Sequence, residues 1–447
     1  MSKCLPIKKY KNRKMKVVSF LFCLASYYSF TQEVKQVSIG TKSTGNGEIS
    51  LELIARKQSY AQRTVNDNDT YESVINSPKS VVFTENGAKF YIHSLEGHET
   101  GVFDASTFQK IKVIRHQFDE NNEDRLFLKN ETSIFGYPYY GEEIRNKNHF
   151  LGKPVESCLS HNGKYLWVTY YRRSYDLNAQ CPSALAIIDT EKDEIVRVMP
   201  TGPLPKMIAC SPDNKFIAVT HWGDNTVGII DISSKDPFKF NYIKHCVVDK
   251  QLEMNFSNAE KVDRDADCGF CLRGTTFSPD GKFLYVGKMG GGGGMAIFDT
   301  RDFNSLGNVT GMQSNLRHLV ISGENLFLSA NKPGYVQRVS WRELTKFRIE
   351  NPGASLRYEK WDDVYVGTGV RTITVSPDGN YVFAAVNTLS KVVAVNTKTM
   401  KVVAEIPADS YPVGMDVSPD GKLLIVTAQG KSNGGGNSVM IFRINRQ

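Results

Sequence analysis

Short runs rich in Val, Ile, Leu, Phe and Tyr recur from about residue 78 to the end of the chain, each bounded by polar turn residues. They read as strands. The punctuation between them repeats: Ser211-Pro212-Asp213-Asn214, Ser278-Pro279-Asp280-Gly281, Ser376-Pro377-Asp378-Gly379 and Ser418-Pro419-Asp420-Gly421. In such a turn Pro presets φ, Asp bonds nearby backbone and Gly takes a positive φ, so each phrase predicts a hairpin. Degenerate copies stand at Thr84-Glu85-Asn86-Gly87, Ser160-His161-Asn162-Gly163 and Ser322-Gly323-Glu324-Asn325, making seven units.

Each turn is followed by a second strand, such as Phe216-Ile217-Ala218-Val219 or Leu423-Leu424-Ile425-Val426. A loop and a third strand come next, as in Met295-Ala296-Ile297-Phe298-Asp299-Thr300, then a fourth, as in Lys401-Val402-Val403-Ala404-Glu405-Ile406. Seven repeats of four antiparallel strands predict an all-β chain folded as a seven-bladed β-propeller. The last unit ends after its third strand. Its unpaired edge calls for a partner, and the alternating segment at about 49–54 (Ile-Ser-Leu-Glu-Leu-Ile) is unclaimed. That N-terminal strand is expected to complete the seventh blade and close the ring. The resulting layout is a signal peptide at 1–31, an N-terminal segment at 32–77, and the propeller at 78–447 with inserts at about 115–152 and 240–271.

The pattern Pro-x5-Ser-Pro-Asp-Gly-Lys-x-Leu-x-Val, met in full from Pro412 to Val426, followed by a Val-x-Ile-x-Asp-Thr type of strand, resembles the YVTN-type seven-bladed propeller proteins of bacterial envelopes. Lactonase-like propellers and the haem domain of nitrite reductases are cousins of that family. The resemblance covers roughly residues 78–445. It implies the fold; it says little about activity, because propellers host many unrelated functions.

Charge changes the picture in one place. The net charge is +8, but Lys3, Lys8, Lys9, Lys11, Arg13, Lys14 and Lys16 supply seven of these, with no acid before residue 32. The basic stretch runs into the mostly apolar Val17 to Tyr28, and Ser29 and Thr31 suit a cleavage before Gln32. This reads as an export signal, giving a periplasmic, surface or secreted protein that does not span the membrane. Six cysteines remain after cleavage, and an oxidising compartment permits disulfides. Cys268-Gly269-Phe270-Cys271, Cys246 and Cys181 are the candidates for stapling the second insert. Cys158 and Cys210 read as buried apolar cysteines.

Five residues before the Ser position of each turn lies the start of the first strand, at the mouth of the central channel. Down the seven units that position reads Lys79, Val155, Lys206, Arg273, Arg317, Arg371 and Val413. Five cations facing one channel repel one another unless an anion is there. Loops expected on the same face add Arg172, Arg173, His221, Trp222, Lys288, Asn331, Lys332, Asn387 and Lys431. The competing reading is a solvated rim, its cations paired with Glu156, Asp362 or Asp416. The glycine runs at 290–294 and 434–436 read as close-approach loops, since no helix follows to make a phosphate cradle.

No metal-ligand spacing, haem motif or other cofactor signature appears, and no catalytic residue is assigned. The leading expectation is a non-catalytic binding or scaffold propeller. Its partner is an anionic glycan or an envelope protein complex, and nucleic acid is not expected. The alternative is a lactonase- or lyase-type enzyme acting on a carboxylated substrate, with His93, Glu96, His98, Glu99, His221 or His318 as acid and base.

Overall fold

The computed structural model describes residues 36–129, 131, 135–137, 147–254, 262–430 and 437–446. The segment at 1–31 read as an export signal, Lys431 and the 434–436 glycine run lie outside the described residues. Seven sheets, antiparallel except where two short extra strands pair in parallel, follow one another along the chain as blades 1 to 7, and their first, inner strands begin at Pro78, Phe150, Pro205, Leu272, Leu316, Val370 and Pro412. The chain is a seven-bladed β-propeller, as the repeats predict.

Each recurring turn is built as its residue types dictate. The Ser hydroxyl donates to the Asp carboxylate two residues on, at 2.6–2.7 Å in all four full copies. The same oxygen accepts the backbone N–H five residues on, at 2.9–3.0 Å, which starts the second strand. The Gly takes φ near 70°. Its bare Cα also faces the Pro of the preceding blade's turn: a Cβ on Gly87 would sit 3.4 Å from Pro419 Cδ, and one on Gly421 3.8 Å from Pro377 Cδ. Blade 3 has Asn214 in place of Gly, and Asn214 Oδ1 reaches back to accept from the His161 N–H of blade 2 at 2.6 Å. The Thr that ends the third strand ties its hairpin to the same turn, with Thr190, Thr300 and Thr397 donating to Gly163, Gly281 and Gly379 carbonyls at 2.6–2.7 Å.

The core is divided into seven apolar clusters, each between two neighbouring blades. Strand alternation sends one face of every sheet to each neighbour, so each blade is buried on both sides. Ring closure follows the same logic. Strand Ile49–Gln58 pairs antiparallel with Ser438–Arg446, from Ile49↔Arg446 to Gln58↔Ser438, with a one-residue register shift between Leu53 and Ala55. A buried clasp holds it. Arg56, 3 % exposed, donates to Asp409 Oδ1 at 2.9 Å and Asp69 Oδ2 at 2.8 Å. Asp409 also accepts the Val37 N–H at 2.8 Å and the Ser438 hydroxyl at 2.7 Å.

Two features depart from a uniform four-stranded reading. Blades 2, 4, 6 and 7 each carry a short fifth strand. The connection from the third to the fourth strand of blade 5 contains the helix Trp341–Glu350, capped by Ser340, whose hydroxyl accepts the Glu343 N–H at 3.4 Å. The first insert forms a second, shorter helix, Glu120–Leu126.

Candidate functional site

The inner strands are fixed to one another by hydroxyls from the adjacent blade. Thr427 donates to the Lys79 carbonyl at 2.5 Å, Ser80 to Val155 at 2.7 Å, Ser329 to Arg371 at 2.6 Å and Thr372 to Val413 at 2.6 Å. These bonds set the start of each inner strand round the channel, and the five cations at that position converge. Burial holds the Lys79 ammonium well below its ordinary pKa, and the charges of Arg371, Lys206, Arg273 and Arg317 depress it further. Arg317 is lowered for the same reasons, by burial and then by Arg371 and Arg273. Arg371 falls to about 10 through burial and Arg273, opposed by Tyr411 and Glu156. One electrostatic site therefore contains all five.

Compensation is partial. Arg273 pairs with Glu156 at 3.1 Å, reaching across from blade 4 to blade 2. Lys206 pairs with Asp265 at 3.0 Å, and its Nζ lies 3.9 Å from the Tyr171 ring centroid and 5.0 Å from that of Trp222. Trp222 Nε1 donates to the Asp265 carbonyl at 3.1 Å. Burial brings Lys206 down to about 7, against the pull of Asp265. The other three cations have no carboxylate partner among the described residues. Lys79 donates to Gln429 Oε1 at 2.9 Å. Arg371 bonds Tyr411. Among the described residues Arg317 hydrogen-bonds only the Met289 thioether, at 3.4 Å, and its Nε is buried without a partner. Counted fully protonated, five cations against two carboxylates carry a formal surplus of three charges, and burial and mutual repulsion work to reduce it by lowering the pKa values of Lys79 and Lys206. Lys79 and Arg317 lie deep in the molecule yet are only half-buried by surface area.

Other residues expected at this face are used elsewhere. Arg173 is buried, donates to the Lys147 and Ser183 carbonyls and lies over the Phe150 ring, because its position in strand Tyr165–Arg173 turns it inward. Arg172 is half-buried at the edge of the site, over Tyr171 and donating to the Leu177 carbonyl, and its charge helps hold the Asp265 carboxyl below its ordinary pKa. Lys288 pairs with Asp249 at 3.0 Å. His221 is fully buried: Nε2 accepts from Gly202 N at 3.1 Å and bonds Thr201 at 2.8 Å, and Nδ1 bonds Thr226 at 2.8 Å. Burial keeps this imidazole neutral, as it does His93 and His318, both lowered to about 3. The acids proposed to quiet the rim are also reassigned in part: Asp362 pairs with Arg338, and Asp416, raised to about 6 by burial, accepts from Phe83 N. Asp265, Tyr411 and Gln429 were not found from the sequence.

Of the four candidate cysteines, Cys268 and Cys271 are joined to each other, while Cys181 and Cys246 remain buried thiols. The disulfide closes one turn rather than stapling the insert. The glycine loop explains its composition by closing over this turn: Gly290 N donates to the Phe270 carbonyl at 2.9 Å, and a Cβ on Gly290 would fall 2.6 Å from the Gly269 carbonyl oxygen. Cys158 and Cys210 pack into the cluster around Trp167. Among the described residues no His, Cys, Asp and Glu side chains group as metal ligands, and no helix is long and apolar enough to cross a membrane. A groove of about 910 Å³ lies at the other end of the inner strands, among turn residues of blades 1 and 2 including Glu85, Lys89 and His161.

The fold and this site define a seven-bladed propeller with a partly compensated cation ring in its channel. No protein family matches the chain. A curated relative, antigen Lp49 of Leptospira interrogans serogroup Icterohaemorrhagiae serovar copenhageni (strain Fiocruz L1-130), is 25% identical over 247 residues, covering 51% of this chain and 46% of that protein. The chain thus spans less than half the length of this relative. Among solved structures it is similar to a chain of Kuenenia stuttgartiensis hydrazine synthase, with a TM-score of 0.57, 14% identity, and coverage of 87% of this chain and 100% of that one. The β-propeller domain of Myceliophteria thermophila Cps50 (Swd1) gives 0.53 at 12% identity, covering 82% and 96%. A chain of the mitotic checkpoint complex gives 0.56 at 10%, covering 96% and 99%. These likenesses concern the fold alone.

Proposed function

We propose that this protein is an exported, non-catalytic propeller of the YVTN type whose channel mouth binds an anionic ligand or an acidic partner in the cell envelope. The observation that carries this reading is the formal surplus of three positive charges in the ring. Buried or half-buried cations without counter-charges destabilise a fold, and they are retained at sites where a ligand supplies the missing charge. Export is supported by the basic and apolar segment at 1–31. The relative's name, an antigen, is compatible with an envelope protein.

The test uses heparin and polyglutamate as anionic probes against the purified chain and an Arg317→Glu/Arg371→Glu double variant. Loss of binding in a variant that still melts cooperatively supports the reading; undiminished binding rejects it. Cell fractionation of the tagged full chain checks export, which requires a shortened N-terminus outside the cytoplasm.

A further inference from the structure

The compensated and uncompensated cations are not mixed around the ring. Both ion pairs draw on blades 2 to 4: Glu156 from blade 2, Lys206 from blade 3, Arg273 from blade 4, with Asp265 from the segment that leads into blade 4. The three cations without a carboxylate come from blades 5, 6 and 1: Arg317, Arg371 and Lys79. Blade 7 lies between blades 6 and 1, and at the ring position it offers Val413, which adds no charge. Blade 7 also contributes two neutral polar groups beside the gap. Gln429 accepts from Lys79 at 2.9 Å, and the Tyr411 hydroxyl bonds Arg371. The cations with no carboxylate at ion-pair distance among the described residues therefore share one arc of the channel, blades 5-6-7-1, and Glu156 offsets Arg317 and Arg371 only from across the ring.

Resting on the anion-binding reading above, we infer that this arc is a subsite for a tetrahedral dianion, a phosphate group, held between Arg317, Arg371 and Lys79. Three cations arriving from three different blades approach from different directions rather than from one plane. A carboxylate offers two coplanar oxygens and one charge. A phosphate monoester offers three terminal oxygens and about −1.5 to −2 charges at neutral pH. Only the second gives each cation an oxygen and offsets most of the surplus. Arginine's fork suits this pairing, and Arg317 in particular has a buried Nε with no partner. The opposite arc needs no ligand, because Glu156 and Asp265 already fill that role.

The test is isothermal titration of the full chain with inorganic phosphate, glycerol 3-phosphate and acetate at matched ionic strength. Variants Arg317→Gln and Lys79→Gln probe the arc, and exposed Arg301→Gln serves as a control. Expected is phosphate-group binding at least tenfold tighter than acetate, weakened tenfold or more by either arc variant and unchanged by the control. Tighter binding of inorganic phosphate marks a free ion as the occupant, and tighter binding of glycerol phosphate an esterified one; both support the inference. If acetate binds as well as phosphate, the dianion assignment is overturned while the anion-binding function stands. If phosphate binds but both arc variants keep wild-type affinity, the location is wrong. Circular dichroism of each variant excludes misfolding as the cause of lost binding.

Discussion

Replacing Arg317 by Met should make the ligand-free protein more stable, contrary to the usual effect of altering a deeply placed residue. Arg317 has Arg371 and Arg273 as repelling neighbours and only Glu156 and Tyr411 opposing them. At an effective dielectric near 20, like charges facing each other across a narrow channel repel by on the order of 2 kcal/mol. Two repulsions and one full attraction leave a net cost of about 2 kcal/mol. Met removes that cost and keeps an unbranched side chain against Met289, at the loss of a weak N–H to sulfur contact at 3.4 Å. The expected gain is about 1–2 kcal/mol. With an unfolding entropy of about 2 cal/mol/K per residue over roughly 400 folded residues, that raises Tm by about 1–2 °C. Scanning calorimetry in a buffer free of multivalent anions reads it, with Arg301→Met as the surface control. The same variant should lose most of the Tm increase that phosphate gives the wild type. A Tm lowered by several degrees, with the phosphate response intact, refutes the reasoning, since it would make Arg317 a structural residue and not a ligand-binding one.

Asp409→Ala leaves Arg56, the Val37 N–H and the Ser438 hydroxyl without their shared acceptor. Breaking such a buried pair should cost about 3–5 kcal/mol, seen as a lowered urea midpoint and faster amide exchange in Ile49–Gln58 and Ser438–Arg446. Lys206 should impose two opposite pH dependences. Its folded pKa, about 7, lies below the unfolded value near 10.5, so between these pH values the unfolded chain binds the extra proton and stability rises with pH. Anion affinity should fall as pH rises through 7, and Lys206→Met should flatten both profiles. Cys268→Ser/Cys271→Ser opens a short loop, so the cost in stability should be only about 1–2 kcal/mol. It loosens the segment that presents Asp265 to Lys206, so phosphate affinity should change by at least twofold relative to wild type, measured by titration.

The fold was legible because its information is local and repeated. Ser, Pro, Asp and Gly each perform a separate task in the turn, and where Gly is lost Asn214 keeps the positive φ and adds a bond to the preceding blade through the His161 N–H. The helix Trp341–Glu350 was also legible but overlooked: Ser340-Trp341-Arg342-Glu343 is a capping signature. The cation ring could be counted out because all five members share one register position. Of its partners, Glu156 was among the acids expected to pair with the rim, and it does pair, with Arg273. Asp265 and Gln429 were not legible, because Asp265 comes from an insert with no register and Gln429 reaches Lys79 from another blade. His221 and Lys288 stand at comparable places at the end of a second strand. At a strand end, sequence does not tell whether a side chain faces the channel or is taken up by a neighbouring group, and here Thr201 and Thr226 claim one and Asp249 the other.

Crystals of the protein soaked in tungstate, a heavy tetrahedral dianion, offer the most direct test of an anion site in the channel. Anomalous density should appear in the channel within hydrogen-bonding distance of Arg317, Arg371 and Lys79, and disappear in Arg317→Gln/Arg371→Gln crystals. Density elsewhere with an empty channel, or density that survives the double variant, would contradict it.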